Sequence, residues 1–347
     1  MDFKISELDE NAMKLTKTHI NNLAIPLGSL GKLDDILIKC AGIFETDDFD
    51  FNKKCTVVMC ADNGVVAQNI SQTGQKITKI VAENMTSDKA TISILSKNSN
   101  ADLFVIDIGM ATDSENEQII NRKIMYGTND FSKTTAMTRE QVISAIEVGI
   151  EMVKTLKNQH YSLIATGEMG IGNTTTSSAI IATLLGKTAQ EVTGRGAGLS
   201  TDGLVRKIHL IDNALAFHKP TNADMIDVLS KIGGLDIAGL VGIFLGGAIY
   251  RVPILIDGFI SSTAALIATK IDLKSRDFMF ATHISAEPAG KMVLDALDLM
   301  PFLHLDMRLG EGTGAVMAFG IFDLANKIYR KMSNFEDINI EKYVPLS

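Results

Sequence analysis

The sequence has no tryptophan, only three cysteines and only six prolines in 347 residues. So few cysteines exclude a small scaffold held together by disulfide bonds, and Cys40, Cys55 and Cys60 lack the paired spacing of zinc ligands. We expect all three to be reduced thiols in the core of a cytoplasmic protein. Proline-rich linkers, internal repeats and low-complexity tracts are also missing, which excludes a repeat protein.

The sequence also has no net positive charge and no long apolar run. The formal net charge of −8 argues against a broad surface for nucleic acid, although it leaves room for a local basic pocket that binds one phosphate. The most apolar segment, residues 233–250, is shorter than the roughly 20 residues of a membrane span and is interrupted by Asp236. It predicts a buried, glycine-rich helix. The first ten residues do not resemble a secretory signal, so we expect no membrane association.

The chain does contain enough apolar residues, 46%, to bury the core of one large domain, with or without a smaller one. Short apolar runs rich in β-branched residues alternate with helical patterns. The six runs are CTVVMCADNG, ADLFVIDIG, YSLIATGEMG, RVPILIDGF, DFMFATHIS and LHLDMRLGEG. This alternation predicts an α/β fold, in which helices cover both faces of a parallel sheet and ligands bind at the carboxyl ends of its strands.

Both ends of the chain have helical patterns. Two helices are predicted in the first forty-odd residues, and the pattern returns from about Met317. We therefore predict a small helical domain made of residues 1–48 together with 325–347. Residues 49–324 would form the large α/β domain.

The segment TGEMGIGNTTTSSA, residues 166–179, has the composition of a phosphate-binding loop but matches neither common glycine-rich template. Its glycines would let backbone N–H groups approach an anion, and Asn173 or Thr174 would cap the helix that follows. An ordinary turn between strand and helix is the alternative. Glu168 is unexpected here, because a carboxylate beside a phosphate needs a lysine, a metal or a cationic substrate close by.

Polar residues also follow the fourth and fifth apolar runs. Asp257 ends one run, and His283, Ser285 and Glu287 follow the next. These last three residues do not have the spacing of metal ligands. Ser285 or its backbone amide is a candidate phosphate contact, whereas Glu287 is interpreted as an acidic residue in the first turn of the next helix.

Three further positions are candidates for ligand contacts. Glu311 lies between two glycines. This position only weakly favours a carboxylate that faces a ligand, and an exposed turn residue is the alternative. Lys207 follows the glycine-rich segment GRGAGL and is either an anion contact or a surface lysine. Asp62 begins a loop that either covers a flat heterocycle or simply connects a strand to a helix.

Together these segments resemble one family, the nicotinate-nucleotide:dimethylbenzimidazole phosphoribosyltransferases of cobalamin lower-ligand assembly. The resemblance extends from PLGSLGKLDDI to RLGEGTGAVMA, over nearly the whole chain. Its most specific segments are GEMGIGNTT, GRGAGL, GGLDIAGLVGIFLGGA, DGFISSTAAL, HISAEPAG and LDMRLGEGTGA. Any one of these motifs is weak evidence, but all six in order are specific.

The resemblance implies that ribosyl phosphate moves from nicotinate mononucleotide to a benzimidazole nitrogen, with inversion at the anomeric carbon and release of nicotinate. Glu311 would be the catalytic base, and Glu168 and Asp257 would lie near the ribose and the cationic ring. The implied substrate-binding residues are Gly170, Ile171, Gly172, Asn173, Thr174, Lys207, Ser285, Leu309, Gly310, Asp62, Thr73 and Val81.

The resemblance also implies a Rossmann-like sheet, a small helical domain built from both termini, and a homodimer in which the partner subunit contributes to the base pocket. It implies neither a metal nor an organic cofactor. Val81 stands where some members have glutamine, and SQTGQKIT replaces a stretch that contains proline in many members. The preferred base therefore stays open among benzimidazoles, a purine or a phenol.

Three other functions compete with this interpretation. A nucleotide-binding sensor would keep the fold without the chemistry. A P-loop phosphotransferase would need the missing Gly-Lys-Ser/Thr, and an NAD-dependent dehydrogenase would need a dinucleotide fingerprint that the chain does not match.

Overall fold

The apolar runs form a six-stranded, entirely parallel sheet in a computed structural model that describes residues 4–343. Its strands are β1 Lys54–Ala61, β2 Ala101–Gly109, β3 Ile119–Asn121, β4 Leu163–Met169, β5 Ile254–Ile256 and β6 Met279–Ala281. The order across the sheet is β3-β2-β1-β4-β5-β6, which is the Rossmann order with its reversal between β1 and β4. The predicted α/β class and parallel sheet are confirmed.

Five of the six predicted strands are present, and the sixth prediction is wrong. The segment LHLDMRLGEG contributes only an isolated bridge between Leu303 and His283. The extended conformation ends there because Asp306 adopts a left-handed backbone with a φ of 51°. The short strand β3, which pairs with β2, has too few residues to be recognised by periodicity.

Helices cover both faces of the sheet, and α10 is the most deeply buried of them. Residues 4–343 contain the α-helices α1 Glu10–Ile20, α2 Lys32–Phe44, α3 Lys76–Met85, α4 Thr91–Asn98, α5 Arg139–Asn158, α6 Asn173–Leu185, α7 Ala189–Val192, α8 Thr201–His218, α9 Met225–Ile232, α10 Leu235–Ile249, α11 Phe259–Ile271, α12 Gly290–Leu297, α13 Thr313–Met317 and α14 Phe319–Lys331. Every residue of α10 from Leu235 to Ala248 is buried, so the predicted buried helix is confirmed. Among the described residues, no helix has both the length and the apolar character needed to cross a membrane.

Helix α14 joins the two ends of the chain. The Tyr329 hydroxyl donates to the carbonyl of Asp47, and the Arg330 guanidinium donates to the carbonyl of Phe49. The apolar side chains of these segments are continuous with the core around the sheet. The division into two domains stays a prediction, and residues 1–3 and 344–347 of the predicted small domain lie outside the described residues.

All three cysteines are free and buried, as predicted. Burial in apolar surroundings raises the pKa of each thiol above its ordinary value. Cys40, Cys55 and Cys60 therefore stay protonated and serve as small apolar core residues.

Helices α5 and α10 cross so closely that their backbones touch at glycines. A Cβ atom at Gly149 would overlap the carbonyl of Gly239 and would lie 2.7 Å from the backbone nitrogen of Ile243. We expect Gly149→Ala to lower the free energy of unfolding by about 1–3 kcal/mol, because the two backbones must separate. Urea denaturation followed by circular dichroism measures this change.

Gly320→Ala is the matched control, because a Cβ atom at Gly320 in α14 meets no atom within 4 Å. Its free energy of unfolding should stay the same or rise by less than about 1 kcal/mol. Equal effects at the two glycines would contradict the proposed close helix crossing.

Candidate active site

A cavity of about 270 Å³ lies at the carboxyl edge of the sheet. It lies beside the reversal of strand order between β1 and β4, where loops from neighbouring strands diverge and leave a crevice. Segments after β1, β4, β5 and β6 line it, together with residues from 195–199 and the turn that precedes α13. Six stretches that are distant in sequence therefore form one site.

Most of the predicted site residues line this cavity. They are Glu168, Gly170, Ile171, Gly172, Asn173, Thr174, Asp257, Ser285, Leu309, Gly310 and Glu311. Lys207, Asp62, Thr73 and Val81 are not part of its wall. The structure thus brings together both glycine-bearing segments and the three predicted catalytic carboxylates.

Glu168 is the penultimate residue of β4 rather than part of a loop, so the sheet fixes its position. Its carboxylate is buried and accepts a hydrogen bond from the side-chain amide of Asn173. Burial, followed by the negative charge of Asp236, raises the pKa of Glu168 well above its ordinary value. The surroundings of Glu168 therefore favour its protonated form.

Glu311 lies in an unusual turn beside Glu168. Gly310, Glu311 and Gly312 have φ angles of 83°, 62° and 89°, a left-handed conformation that disfavours glutamate. The turn packs so closely on β4 that a Cβ atom at Gly167 would lie 2.6 Å from the carbonyl oxygen of Glu311. Burial and the nearby charge of Asp257 raise the pKa of Glu311, which suits a general base that works near neutral pH.

Asp257 fixes this turn from the end of β5. Its carboxylate accepts hydrogen bonds from the backbone N–H groups of Gly312, Gly314 and Ala315, at 3.1, 2.8 and 3.1 Å. These N–H groups belong to the start of α13, where an anion is favoured by unpaired donors and by the helix dipole. Asp257 therefore positions Glu311 and the first turn of α13.

The opposite end of the cavity carries positive charge. The Lys207 ammonium stands behind the wall and donates to the Thr174 hydroxyl at 2.9 Å and to the Gly194 carbonyl at 3.2 Å. Burial lowers its pKa to about 8, while Glu287 opposes this shift. Helix α6 begins beside it with Gly172 as its N-cap. Backbone N–H groups and one lysine thus face the same end.

The predicted helix cap at Asn173 or Thr174 is wrong, because Gly172 is the N-cap and both residues lie inside α6. Glu287 is also not in the first turn of a helix, since α12 begins at Gly290. It lies in the cavity instead, because the backbone of residues 285–289 turns before the helix starts.

Asp62, Thr73 and Val81 lie on the segment that leads from β1 into α3. The Asp62 carboxylate accepts hydrogen bonds from the Thr78 hydroxyl and from the backbone N–H of Ala111, at 2.6 and 2.8 Å. Val81 is half-buried and packs on the core. Their predicted substrate contacts stay predictions.

The site residues predicted from the sequence do not include several residues that line the cavity. They include Ile70, Ser71, Gln72, Arg195, Phe259 and Ile260, whereas His283 and Arg308, which also line the cavity, lie in segments that the sequence indicates. Arg195 belongs to the glycine-rich segment GRGAGL, so its sequence neighbourhood was a usable signal. Phe259 and Ile260 have the sequence pattern of ordinary helix residues, and only the fold places the start of α11 at the cavity.

We expect Asp257→Asn to lower the free energy of unfolding by about 1–3 kcal/mol, because an amide nitrogen cannot accept from the backbone N–H groups of α13. Thermal and urea unfolding measure this change. Asp295→Asn is the control, since Asp295 forms an exposed pair with Lys291. Its effect should stay below about 0.5 kcal/mol. A comparable loss in both variants would contradict the anchoring role of Asp257.

Comparison with known proteins gives concordant results. A phosphoribosyltransferase family model matches residues 5–340. The nicotinate-nucleotide–dimethylbenzimidazole phosphoribosyltransferase of Acetivibrio thermocellus is 48% identical over 98% of this chain and 97% of its own length. The enzyme of the same name from Clostridium acetobutylicum is 47% identical over 99% of this chain and 97% of its own length.

A solved structure extends this similarity to three dimensions. The crystal structure of CobT from Thermus thermophilus superposes with a TM-score of 0.91 at 31% identity, covering 96% of this chain and 100% of that one. The matches cover nearly the whole chain in sequence and in structure. The chain therefore belongs to the nicotinate-nucleotide–dimethylbenzimidazole phosphoribosyltransferase family.

Proposed function

We propose that this protein transfers the ribosyl phosphate of nicotinate mononucleotide to 5,6-dimethylbenzimidazole or a related lower-ligand base in cobamide biosynthesis. The products are nicotinate and an α-ribotide. One observation carries the proposal. A single cavity joins a glycine-rich helix start, backed by a buried lysine, to a group of carboxyl groups. That division of charge matches a ligand with a phosphate at one end and a pyridinium ring at the other.

The phosphate is assigned to the segment from Gly170 to Thr174. Its backbone N–H groups and the N-terminus of α6 favour an anion, and Lys207 adds a charge through Thr174. Ser285 approaches the same region from the segment after β6. This placement directs the ribose toward Glu168.

Glu168 and Asp257 are assigned to the ribose and the cationic ring. As the glycosidic bond breaks, the ribose carbon gains positive character, and nearby carboxyl groups stabilise that charge most when they are ionised. Nicotinate leaves as a neutral ring nitrogen. The leaving group therefore needs no proton, unlike the leaving group of an inverting glycosidase.

Glu311 is assigned as the general base. The incoming benzimidazole attacks through one nitrogen, and its other nitrogen must then lose a proton. The left-handed turn holds the Glu311 carboxylate at the cavity wall, and its raised pKa brings its basicity closer to neutral pH. Leu309 and Gly310, which precede it, are assigned to contact the nucleotide.

We expect Glu311→Gln to lower kcat by about 10²–10⁴-fold, because general-base help is lost while shape and packing are kept. Affinity for nicotinate mononucleotide should stay within about threefold, since the proton transfer occurs only in the reaction. Chromatography of nicotinate and ribotide gives kcat, and calorimetry gives the affinity. Near-normal turnover would contradict the assignment and would favour a sensor that needs no base.

The pH profile tests the same residue independently. Since the pKa of Glu311 is raised and the base must be ionised, kcat should fall as the pH drops through that raised pKa. Glu311→Gln should abolish this acidic limb. If the wild-type enzyme and the Glu311→Gln variant both show an acidic limb with the same midpoint, the limb belongs to another group.

The identity of the base is tested with a panel. Incubation of the protein with nicotinate mononucleotide and benzimidazoles, purines or phenols would show which acceptors form a ribotide. An apolar residue such as Val81 in the base pocket predicts weak discrimination by hydrogen bonds. Release of nicotinate with none of these bases would contradict the proposed function.

A homodimer and a cytoplasmic location are part of the same proposal. Leu305 and Leu309 beside the cavity expose 46% and 54% of their surface, which leaves apolar area for a second copy to cover. Light scattering coupled to gel filtration would establish the oligomeric state. The free, buried thiols support a reducing compartment.

A further inference from the structure

A second buried carboxyl group lies behind the cavity wall. Asp236, in the first turn of α10, is fully buried. Its Oδ2 atom accepts a hydrogen bond of 2.9 Å from the side-chain amide of Asn173. Its Oδ1 atom forms no hydrogen bond of normal geometry among residues 4–343, and the backbone N–H groups of Asp236 and Ile237 at the start of α10 only partly offset the effect of burial on its pKa. Such a group is costly to bury, which indicates that it has a role beyond stability.

The same amide nitrogen of Asn173 also donates to Oε2 of Glu168. One nitrogen therefore joins carboxyl groups from β4 and α10. Glu168 reaches the cavity, whereas Asp236 is not part of its wall. Gly170 leaves the necessary space, because a Cβ atom there would lie 2.7 Å from Oδ2 of Asp236 and 3.2 Å from the Asn173 nitrogen.

The titratable groups whose charges act on this pair are Cys60 on β1, Asp62 after it, Asp257 after β5 and Glu311 before α13, and all of them are acids. The cavity wall also contains Arg195, His283 and Arg308. Among the described residues, neither Glu168 nor Asp236 forms an ion pair. Two carboxyl groups that share one amide without a counter-charge repel each other when both are ionised. Consistent with this, burial raises the pKa of Asp236 to about 6, and burial together with the charge of Asp236 raises the pKa of Glu168 well above its ordinary value.

We propose that Asp236 is a positioning residue for the reaction, which orients Glu168 through Asn173 and shares one proton with it until the pyridinium ring of the nucleotide enters. On entry, the O–H bond of the shared proton breaks and the proton leaves to solvent through the cavity. The ionised pair then faces the cationic ring, and nothing is oxidised or reduced. This inference rests on the proposed function, because it assigns the pyridinium ring to this end of the cavity.

Calorimetry on the wild-type protein tests the proton release. Titration at pH 7 in two buffers of different ionisation enthalpy gives the number of protons released per bound ligand. The control ligand is the reduced 1,4-dihydro form of nicotinate mononucleotide, which keeps the phosphate and ribose but has a neutral ring. We expect the cationic nucleotide to release up to about one proton more per site than the control. Equal proton release by the two ligands would overturn the proposal.

Asp236→Asn tests the residue itself. Its side-chain oxygen can still accept from Asn173, but the negative charge is gone, so the proton on Glu168 is held less tightly. We expect the acidic midpoint of kcat/KM for the nucleotide to move down by about one pH unit, and the extra proton release to shrink. An unmoved midpoint in a folded variant would overturn the proposal. If the variant does not fold, the wild-type calorimetry decides.

Asp107→Asn is the matched control. Asp107 is another buried carboxylate, but it lies on β2, which is separated from β4 by β1. It pairs with Lys123 and has no contact with Asn173. Its loss should lower stability and leave the pH midpoint unchanged. A shift of the same size in both variants would show a general effect of buried charge and overturn the specific role of Asp236.

The outcomes also separate this inference from the proposed function. If no base yields nicotinate, the proposed function fails. If turnover occurs but both ligands release the same number of protons, only the role of Asp236 fails.

Discussion

The hydrogen bonds from the start of α13 to Asp257 are the interaction on which the rest of the site depends. A single carboxylate at the end of a three-residue strand accepts from three backbone N–H groups that α13 leaves unpaired. They hold the Gly310–Gly312 turn in a conformation that glutamate adopts only at a cost of about 1–3 kcal/mol. The position of Glu311 above β4, and the closeness of Gly310 to Glu168, follow from this anchor.

The sheet order explains how one cavity acquires two electrostatic ends. Strand β4 lies beside β1 at the point where the strand order reverses. The end of β4 and the start of α6 therefore face the same crevice. Glu168 and Asn173 are five positions apart, yet their side chains touch across the turn. The proposed phosphate-binding helix start and a buried carboxyl group are thus built from one short segment. In the proposed complex, the backbone of this segment would set the ligand orientation.

The sequence predicted what depends on local pattern and missed what depends on distant contacts. Continuous apolar runs predicted the parallel sheet, and polar residues at strand ends predicted most of the cavity wall. In the sequence Asp236 is only an interruption of an apolar segment, because its partner Asn173 lies 63 positions away. Asn173 itself has the appearance of a helix cap, and nothing local reveals that two carboxyl groups compete for its amide. The apolar pattern around Leu303 predicts a strand because periodicity does not register the left-handed backbone at Asp306.

The left-handed backbone at Glu311 makes stability and catalysis favour different residues at this position. Local conformation favours glycine or asparagine at a φ of 62°, whereas the proposed chemistry requires a carboxylate on a long side chain. In a library randomised at this position, selection for thermal tolerance and selection for turnover would therefore enrich different residues. The glycines on either side bring the chain into the conformation at low strain, so the conflict is confined to a single position. The turn thus marks a site where evolution toward stability and evolution toward activity diverge.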